Sequence, residues 1–364
     1  MSKRILISVT NDISYDQRMQ KTARTLAKDG YSVTIFGRLK PLSIAIQSND
    51  FEAVRVSMIF SSGKLFYLEY NIRLLFFLLM NRFDVLCAVD LDSILPNVLI
   101  GKIRNCPVVY DAHEYFTEVP ELANRPIVKR VWKSIEQYSL PKCAKMYTVG
   151  PCIAKLFQNE YGKNCEVICN FPRSFQRSPS SKSEKFTIIY QGDLNEGRGV
   201  DVMIKAMVKI PDVLFWVVGD GYERLRLEEL VQSLNLGERV TFYGYIAPSE
   251  INSLTSKAHL GVNLLENIGL NHYYSLANKF FDYIQNGIPV LTMDFPEYRE
   301  VNEKYQIAIL VKEMDIQEIV TAIESLIQNQ DFYSNLAKNT DLASRFLTWE
   351  SQEEKLCSIY NDVE

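Results

Sequence analysis

The chain has 364 residues, 47% apolar and 23% charged, with 40 basic against 44 acidic side chains and a net charge of -4. That length accommodates two domains, and the charge balance argues against a nucleic-acid backbone as main partner. Seven cysteines without a CxxC pair and only three histidines exclude a zinc ribbon and a His-rich metal site.

Those cysteines read as free thiols of a reducing compartment. The N-terminus runs from MSKRILISVTND into polar sequence without a signal-peptide core. The most apolar run, LLFFLLM at 74–80, is far short of a membrane span. A cytoplasmic protein is expected.

Residues 3–10 (KRILISVT) read as a buried strand. Residues 15–29 place Met19, Ala23, Leu26 and Ala27 at helical spacing, and Gly30 stops the helix. A strand at 31–37 completes a βαβ unit, which demands a parallel sheet and a right-handed crossover. The alternation continues with strands at 51–58, 84–88, 107–111, 145–149 and 166–168. Helices are expected at 65–80, 95–103, 126–139 and 151–160.

Residues 170–185 (NFPRSFQRSPSSKSEK) lack periodicity and read as an exposed linker. A second series follows, with strands at 186–191, 213–218, 240–243, 260–264, 289–292 and 307–311. Its helices fall at 200–209, 224–234, 248–257 and 278–285, with more from 315 onward. Residues 345–360 place Phe346, Trp349, Leu356 and Ile359 near one face of a final helix. The expected fold class is α/β, with two Rossmann-like doubly wound domains facing a central cleft. Ligands in such sheets sit at the carboxyl ends of the strands, so the βα loops should carry the chemistry.

Several chemistries are absent from those loops. NDIS after the first strand lacks the glycines of a dinucleotide fingerprint, and neither GxxxxGK[ST] nor GxSxG occurs. Asp90-Leu91-Asp92 is compatible with a divalent cation beside a diphosphate and equally with a loop of solvated carboxylates; no metal is expected.

Three loops are informative. YQGDLNEGRGV, from Tyr190, sets Gly192 where a ligand can approach the main chain and Arg198 near a helix start suited to phosphate. A plain βα turn with a surface arginine fits it as well. VVGDGY, holding Gly219, fits a tight turn and a ligand contact alike. The third, GVNLLENIGLNHYYSLANKFFDYIQNGIPV, leads through Glu266 to Ser275, Leu276 and Ala277. A helix then starts at Asn278, with Lys279 beside its amides and Asp282 one turn on. Anion on the helix terminus and Arg198, with sugar hydroxyls on Asp282, gives a nucleotide-diphosphate reading; an ordinary amphipathic helix is the alternative. His113, just past a strand end, is either a site residue or a turn histidine bonded to Asp111 or Glu114. His259 and His272 read as structural or surface residues.

In order and spacing, nearly the whole chain resembles the family 4 glycosyltransferases, which have the GT-B arrangement of two Rossmann-like domains. Asp16, Arg18 and Ala23 ahead of Gly30 are similar to the family's first βα unit, and DAHE at 111–114 to its central histidine segment. CEVICNFP at 165–172 resembles the stretch before the linker. YQGDL…RGV, VVGDG, VTFYGYI and NKFFDYIQNGIPV resemble the loops of its nucleotide domain. Two departures stand out. The paired basic residues of the family appear here as Asp193 and Arg198. Its E-x7-E motif keeps only Asp282, with Tyr274 at the first carboxylate and Glu266 sixteen residues before Asp282.

The resemblance implies a retaining glycosyltransferase that uses a nucleotide-diphosphate sugar in surface polysaccharide or glycolipid synthesis, with no cofactor and no metal. Arg198, His113 and Lys279 would be catalytic, with His113 at the donor sugar or the reacting phosphate. Gly192, Gly219, Tyr243, Tyr245, Glu266, Ser275, Leu276, Ala277, Asn278 and Asp282 would bind the donor. Asp16 and Arg18 would lie on the acceptor side, and the acceptor would be a saccharide or lipid-linked. It also implies an acceptor-side domain at 1–169, a linker at 170–185 and a nucleotide-sugar domain at 186–344. Residues 345–364 would cross back to the first domain. A peripheral membrane contact through the apolar 65–80 helix, flanked by Lys64, Arg73 and Arg82, is weighed against core packing. The alternatives are a GT-B nucleotide-sugar 2-epimerase and a catalytically silent scaffold subunit.

Overall fold

In a computed structural model that describes residues 2–46, 48–177 and 181–363, thirteen strands form two all-parallel sheets. The chain divides into two units. The first is Met1–Asn170 with Gly269–Asn271 and Gln352–Glu364; the second is Phe171–Ile268 with His272–Ser351.

The first unit carries β1 (Arg4–Asp12), α1 (Gln17–Lys28), β2 (Ser32–Leu39), β3 (Phe51–Ser57), α2 (Gly63–Met80) and β4 (Val85–Val89). It continues with α3 (Ile94–Arg104), β5 (Val108–Ala112), α4 (Pro120–Ala123), α5 (Pro126–Ser139), β6 (Lys145–Thr148), α6 (Pro151–Tyr161) and β7 (Glu166–Val167). Its strand order is β3-β2-β1-β4-β5-β6-β7. β4 and β5 are buried along their whole length, as expected of parallel strands covered on both faces.

The second unit carries β8 (Thr187–Gln191), α7 (Val200–Ala206), β9 (Leu214–Val218), α8 (Arg224–Ser233), β10 (Val240–Gly244), α9 (Pro248–Thr255) and β11 (Leu260–Asn263). After these come α10 (Leu270–Tyr273), whose first two residues belong to the first unit, then α11 (Asn278–Gln285), β12 (Val290–Met293), α12 (Pro296–Tyr305) and β13 (Ala308–Val311). The chain ends in α13 (Ile316–Gln328), α14 (Gln330–Ala343) and α15 (Glu350–Asn361). The order β10-β9-β8-β11-β12-β13 repeats the first sheet's winding. Each sheet reverses direction at its first strand, β1 against β4 and β8 against β11. Crevices for ligands open at such switch points.

Three expectations change. The stretch at 170–185 is not a free linker. Arg177 is bonded to the Gln285 carbonyl at 2.6 Å and to Asp341 and Ser344, and Ser183 N–H donates to the Lys257 carbonyl. Its residues 178–180 lie outside the described ones. The final helix is also shorter, because turns interrupt the chain after α14, and Phe346 is exposed. Trp349 is wholly buried in the second unit, where its N–H donates to the Pro172 carbonyl. From Gln352 onward α15 belongs to the first unit, with Glu353 on Thr25 and Tyr360 against Tyr147. Finally, α12 had no counterpart in the sequence pattern, since PEYREVNEKY buries only Glu297 and Tyr298.

All seven cysteines are free. No helix among the described residues is long and apolar enough to cross a membrane.

Candidate active site

At the switch point of the second sheet, β8 ends at Gln191 and the chain turns at Gly192. Gly192 N–H donates to the Val218 carbonyl, and Gly219 N–H donates to that of Gly244. A Cβ on Gly219 would stand 1.9 Å from the Gly192 oxygen, and Gly219 has φ +134°. Only glycine permits this contact. The two glycines bring neighbouring strand ends together and leave their backbone open above the sheet.

Lys279 and Arg198 converge on this spot. The Lys279 Nζ would lie 3.0 Å from a Cβ on Gly192 and sits 3.9 Å from the centroid of the Tyr190 ring. Burial, and after it the charge of Arg198, pull the Lys279 pKa down to about 7. Arg198 makes no salt bridge among the described residues. Arg198 and Lys279 thus lie together in a desolvated spot, with Asp193 and Asp282 the carboxylates that act on the lysine.

α11 begins at the same place. Tyr283 fixes the helix on the sheet: its hydroxyl accepts from Gln191 N–H at 3.0 Å and donates to the Val262 carbonyl. No side chain caps the α11 N-terminus. Tyr298 OH takes the Ala277 N–H at 3.1 Å and lies 3.3 Å from the Ser275 hydroxyl, which sets the chain from Ser275 through Leu276 and Ala277 into Asn278. Asp282 is half-buried and 3.4 Å from Gln191 Nε2. Glu266 N–H donates to the Gly197 carbonyl at 2.9 Å, so the Glu266 loop lies against the loop that carries Arg198. Tyr243 and Tyr245 are exposed at the end of β10, Tyr243 edge-on to Trp216.

The first unit's switch point has the opposite character. Asp90 follows β4 with φ +53° and ψ 174°, a region nearly confined to glycine. Its carboxylate accepts the His113 N–H at 2.8 Å. The His113 ring stands 3.3 Å from Asp111 Oδ2 and 3.9 Å from Asp90. Burial opposes a charge on His113, yet Asp111 and Asp90 outweigh it and raise its pKa to about 9. Burial likewise opposes charge on Asp111, but Arg18 and His113 hold it at about 2.

Arg18 is buried, 2.9 Å from Asp111 and 3.0 Å from the Ile168 carbonyl. It acts by fixing Asp111, so any contribution to an acceptor site is indirect. Asp16 caps α1 through Met19 N–H and receives Asn11. His259 accepts the Thr187 N–H and stacks on Phe186, and His272 is buried against the Glu266 carbonyl; both are structural.

Asp92 was weighed in the sequence only as half of a D-x-D triplet. The structure separates the pair, since Asp90 faces His113 while Asp92 accepts from Thr10 at 2.7 Å. No group of three His, Cys, Asp or Glu able to hold a metal occurs among the described residues.

Comparisons with known proteins agree with this architecture. Residues 172–342 match the model described as Glycosyl transferases group 1, and residues 17–171 that of Glycosyltransferase Family 4. An uncharacterized glycosyltransferase of Haemophilus influenzae is 23% identical over 88% of this chain and 89% of its own length. The lipopolysaccharide core biosynthesis glycosyltransferase LpsD of Rhizobium meliloti is 31% identical, but over 25% of this chain and 29% of its own. Among solved structures, sucrose-phosphate synthase from Thermosynechococcus elongatus superposes with a TM-score of 0.80 at 16% identity, covering 99% of both chains. Anabaena HepE in complex with UDP-glucose superposes at 0.75 with 15% identity, over 99% of this chain and 100% of that one. With two parallel-sheet Rossmann-like units and both family models matched in sequence order, the chain is an enzyme of the family 4 glycosyltransferases, with the GT-B fold.

Proposed function

We propose that this glycosyltransferase moves a sugar from a nucleotide-diphosphate donor, with retention at the anomeric carbon, to a saccharide or glycolipid acceptor in surface polysaccharide synthesis. The observation that carries the reading is the convergence of Lys279, Arg198 and the uncapped start of α11 on the glycine turn after β8. Such a site offers preorganised positive charge to a departing diphosphate. Lys279 and Arg198 neutralise the charge that develops as the glycosidic bond breaks. The amides at Asn278 and Lys279 add the helix dipole. Asp282 takes the ribose hydroxyls, Tyr243 and Tyr245 frame the base, and Glu266 supports the Arg198 loop. His113, kept protonated by two carboxylates, supplies fixed positive charge to the substrate bound by the first unit. No metal and no cofactor are needed for this neutralisation.

HepE was solved in complex with UDP and with UDP-glucose. LpsD is named for lipopolysaccharide core and WclY of Escherichia coli for O-antigen biosynthesis. These names support the donor and pathway class. The test is thermal shift with the nucleoside diphosphates, followed by proton NMR of the product formed from the stabilising donor. A product of inverted anomeric configuration refutes retention, and absence of any nucleotide-dependent shift refutes the donor site.

A further inference from the structure

Helix α2 is apolar on two sides. Phe66, Tyr70, Leu74 and Leu78, one turn apart, are buried against the sheet. Leu65, Leu68, Ile72 and Phe76 are exposed on another face. Along α5, Ile127, Val128 and Val131 are exposed as well, at 74%, 41% and 55%. Scattered exposed apolar residues need no explanation, but Leu68, Ile127, Val128 and Val131 of these line one feature. A groove of about 960 Å³ in the first unit runs between the two helices, with Leu68, Leu95, Val128, Val131 and Trp132 among its walls. Its volume is that of a site for a sizeable organic ligand.

The groove has a polar end. There it shares Tyr67, Asp92, Glu114 and Phe116 with a second cavity of about 400 Å³ above Thr10 and Asp90. Trp132 stands edge-on to both Tyr67 and Phe116, at 5.4 and 5.0 Å between centroids, and so forms an aromatic collar where the two cavities meet. Asp92 lines both cavities and is 7% exposed. Its Oδ2 accepts from Thr10, but its buried Oδ1 has no hydrogen-bond partner. The turn cannot readily move to satisfy it, because Asn71 holds the Asp92 carbonyl at 2.8 Å and Asn97 the Ser93 carbonyl. A buried oxygen left so is costly, and a donor from a ligand would remove that cost.

We propose that this groove binds the acceptor and that the acceptor is an amphiphile: a hydroxyl of its head donates to Asp92 Oδ1 while a linear apolar chain lies between α2 and α5. The proposal rests on the glycosyltransferase reading and narrows its acceptor to the lipid-linked class. A purely polar saccharide would leave the apolar walls wet, and a purely apolar ligand would leave Asp92 unpaired.

The test titrates the full chain with methyl, hexyl, heptyl and octyl β-D-glucosides below their micellar concentrations. Burial raises the Asp92 pKa to about 7, so the titration is run at about pH 8.5, where the carboxylate accepts. Affinity should rise about threefold to fourfold per methylene from hexyl to octyl. Val131→Asp, at an exposed position that should tolerate it, should flatten that dependence. Asp92→Asn should weaken every glucoside by about tenfold and leave the chain-length dependence intact. Affinity independent of chain length, or a dependence that survives Val131→Asp, overturns the proposal. So does flotation with phosphatidylglycerol vesicles by a protein that binds no monomeric glucoside, which would mark a membrane-facing surface instead. Thermal shift by UDP is read on each variant: its persistence separates failure of the groove from failure of the donor site.

Discussion

Lys279 supplies the sharpest test of the donor site, because its pKa of about 7 in the free protein lies where a titration can be followed. A diphosphate placed against the Nζ favours the charged form and should return the pKa toward an ordinary lysine value of about 10.4. Binding then requires the protonated lysine. Affinity is full below pH 7 and falls as the free protein loses the proton. With those two pKa values, nucleoside diphosphate affinity should drop about fiftyfold between pH 7 and pH 9. The unliganded protein should respond with the opposite sign. Between about 7 and 10.4 the unfolded chain holds a proton on this lysine that the folded chain does not, so the contribution of Lys279 to stability rises with pH across that window. Calorimetry of UDP binding at pH 7, 8 and 9, in buffers of different ionisation enthalpy, reads both affinity and proton uptake. Lys279→Arg, which does not titrate in this range, should flatten the profile, and Lys279→Met should bind weakly throughout. Wild-type binding that is flat from pH 7 to 9, without proton uptake, would show that Lys279 does not face the diphosphate.

Arg198→Ala should lower turnover by about 10²–10³, the loss expected for one preorganised donor; activity within about threefold of wild type would remove Arg198 from the site. Turnover should survive EDTA, because Lys279, Arg198 and the α11 amides do the neutralising; loss on chelation with rescue by Mg²⁺ or Mn²⁺ would refute metal independence. Asp111→Asn should destabilise the fold by about 3–5 kcal/mol, because Arg18, 4% exposed, is left buried without its counter-charge; an unchanged denaturation midpoint would show that the pair contributes little. Trp349→Ala should cost about 3–5 kcal/mol, since the ring is wholly buried, and unchanged stability would contradict that packing.

The parallel sheets were legible because their buried strands are apolar runs: VLCAV in β4 is unbroken, and VVYDA in β5 is interrupted only by Asp111. α12 was not, because a helix that buries two residues leaves no periodic signal. Composition misjudged residues 170–185, where one arginine, Arg177, finds carbonyl and carboxylate partners in α11 and α14 that no local pattern announces. Arg18 was legible as a special residue but not as a buried one, since its partner Asp111 lies 93 positions away. The groove was missed for a related reason. The apolar excess of α2 was visible, but periodicity alone cannot tell which of its residues line a groove with α5, since Leu68 does and Ile72 and Phe76 do not.

The two units wind their sheets alike yet charge their switch points in opposite ways. Each presents the loops after its first and fourth strands to a ligand, so topology alone gives both the same capacity to bind. The difference lies in a few side chains. In the second unit burial, and after it the charge of Arg198, depress the Lys279 pKa, and Asp193 and Asp282 do not make up for them, the signature of a cation short of negative charge. In the first, burial, with Glu114 adding to it, pushes Asp92 up to about 7, the signature of a carboxylate short of donors. A diphosphate would relieve the first strain and aggravate the second; hydroxyl groups would relieve the second. Under the proposed function, the charge pattern favours an anionic donor at the second unit and a hydroxylated acceptor at the first. Exchanging the two signs, Lys279→Glu in one variant and Asp92→Lys in another, should abolish nucleotide binding only in the first. Loss of nucleotide binding in Asp92→Lys, with the fold intact by circular dichroism, would refute that division.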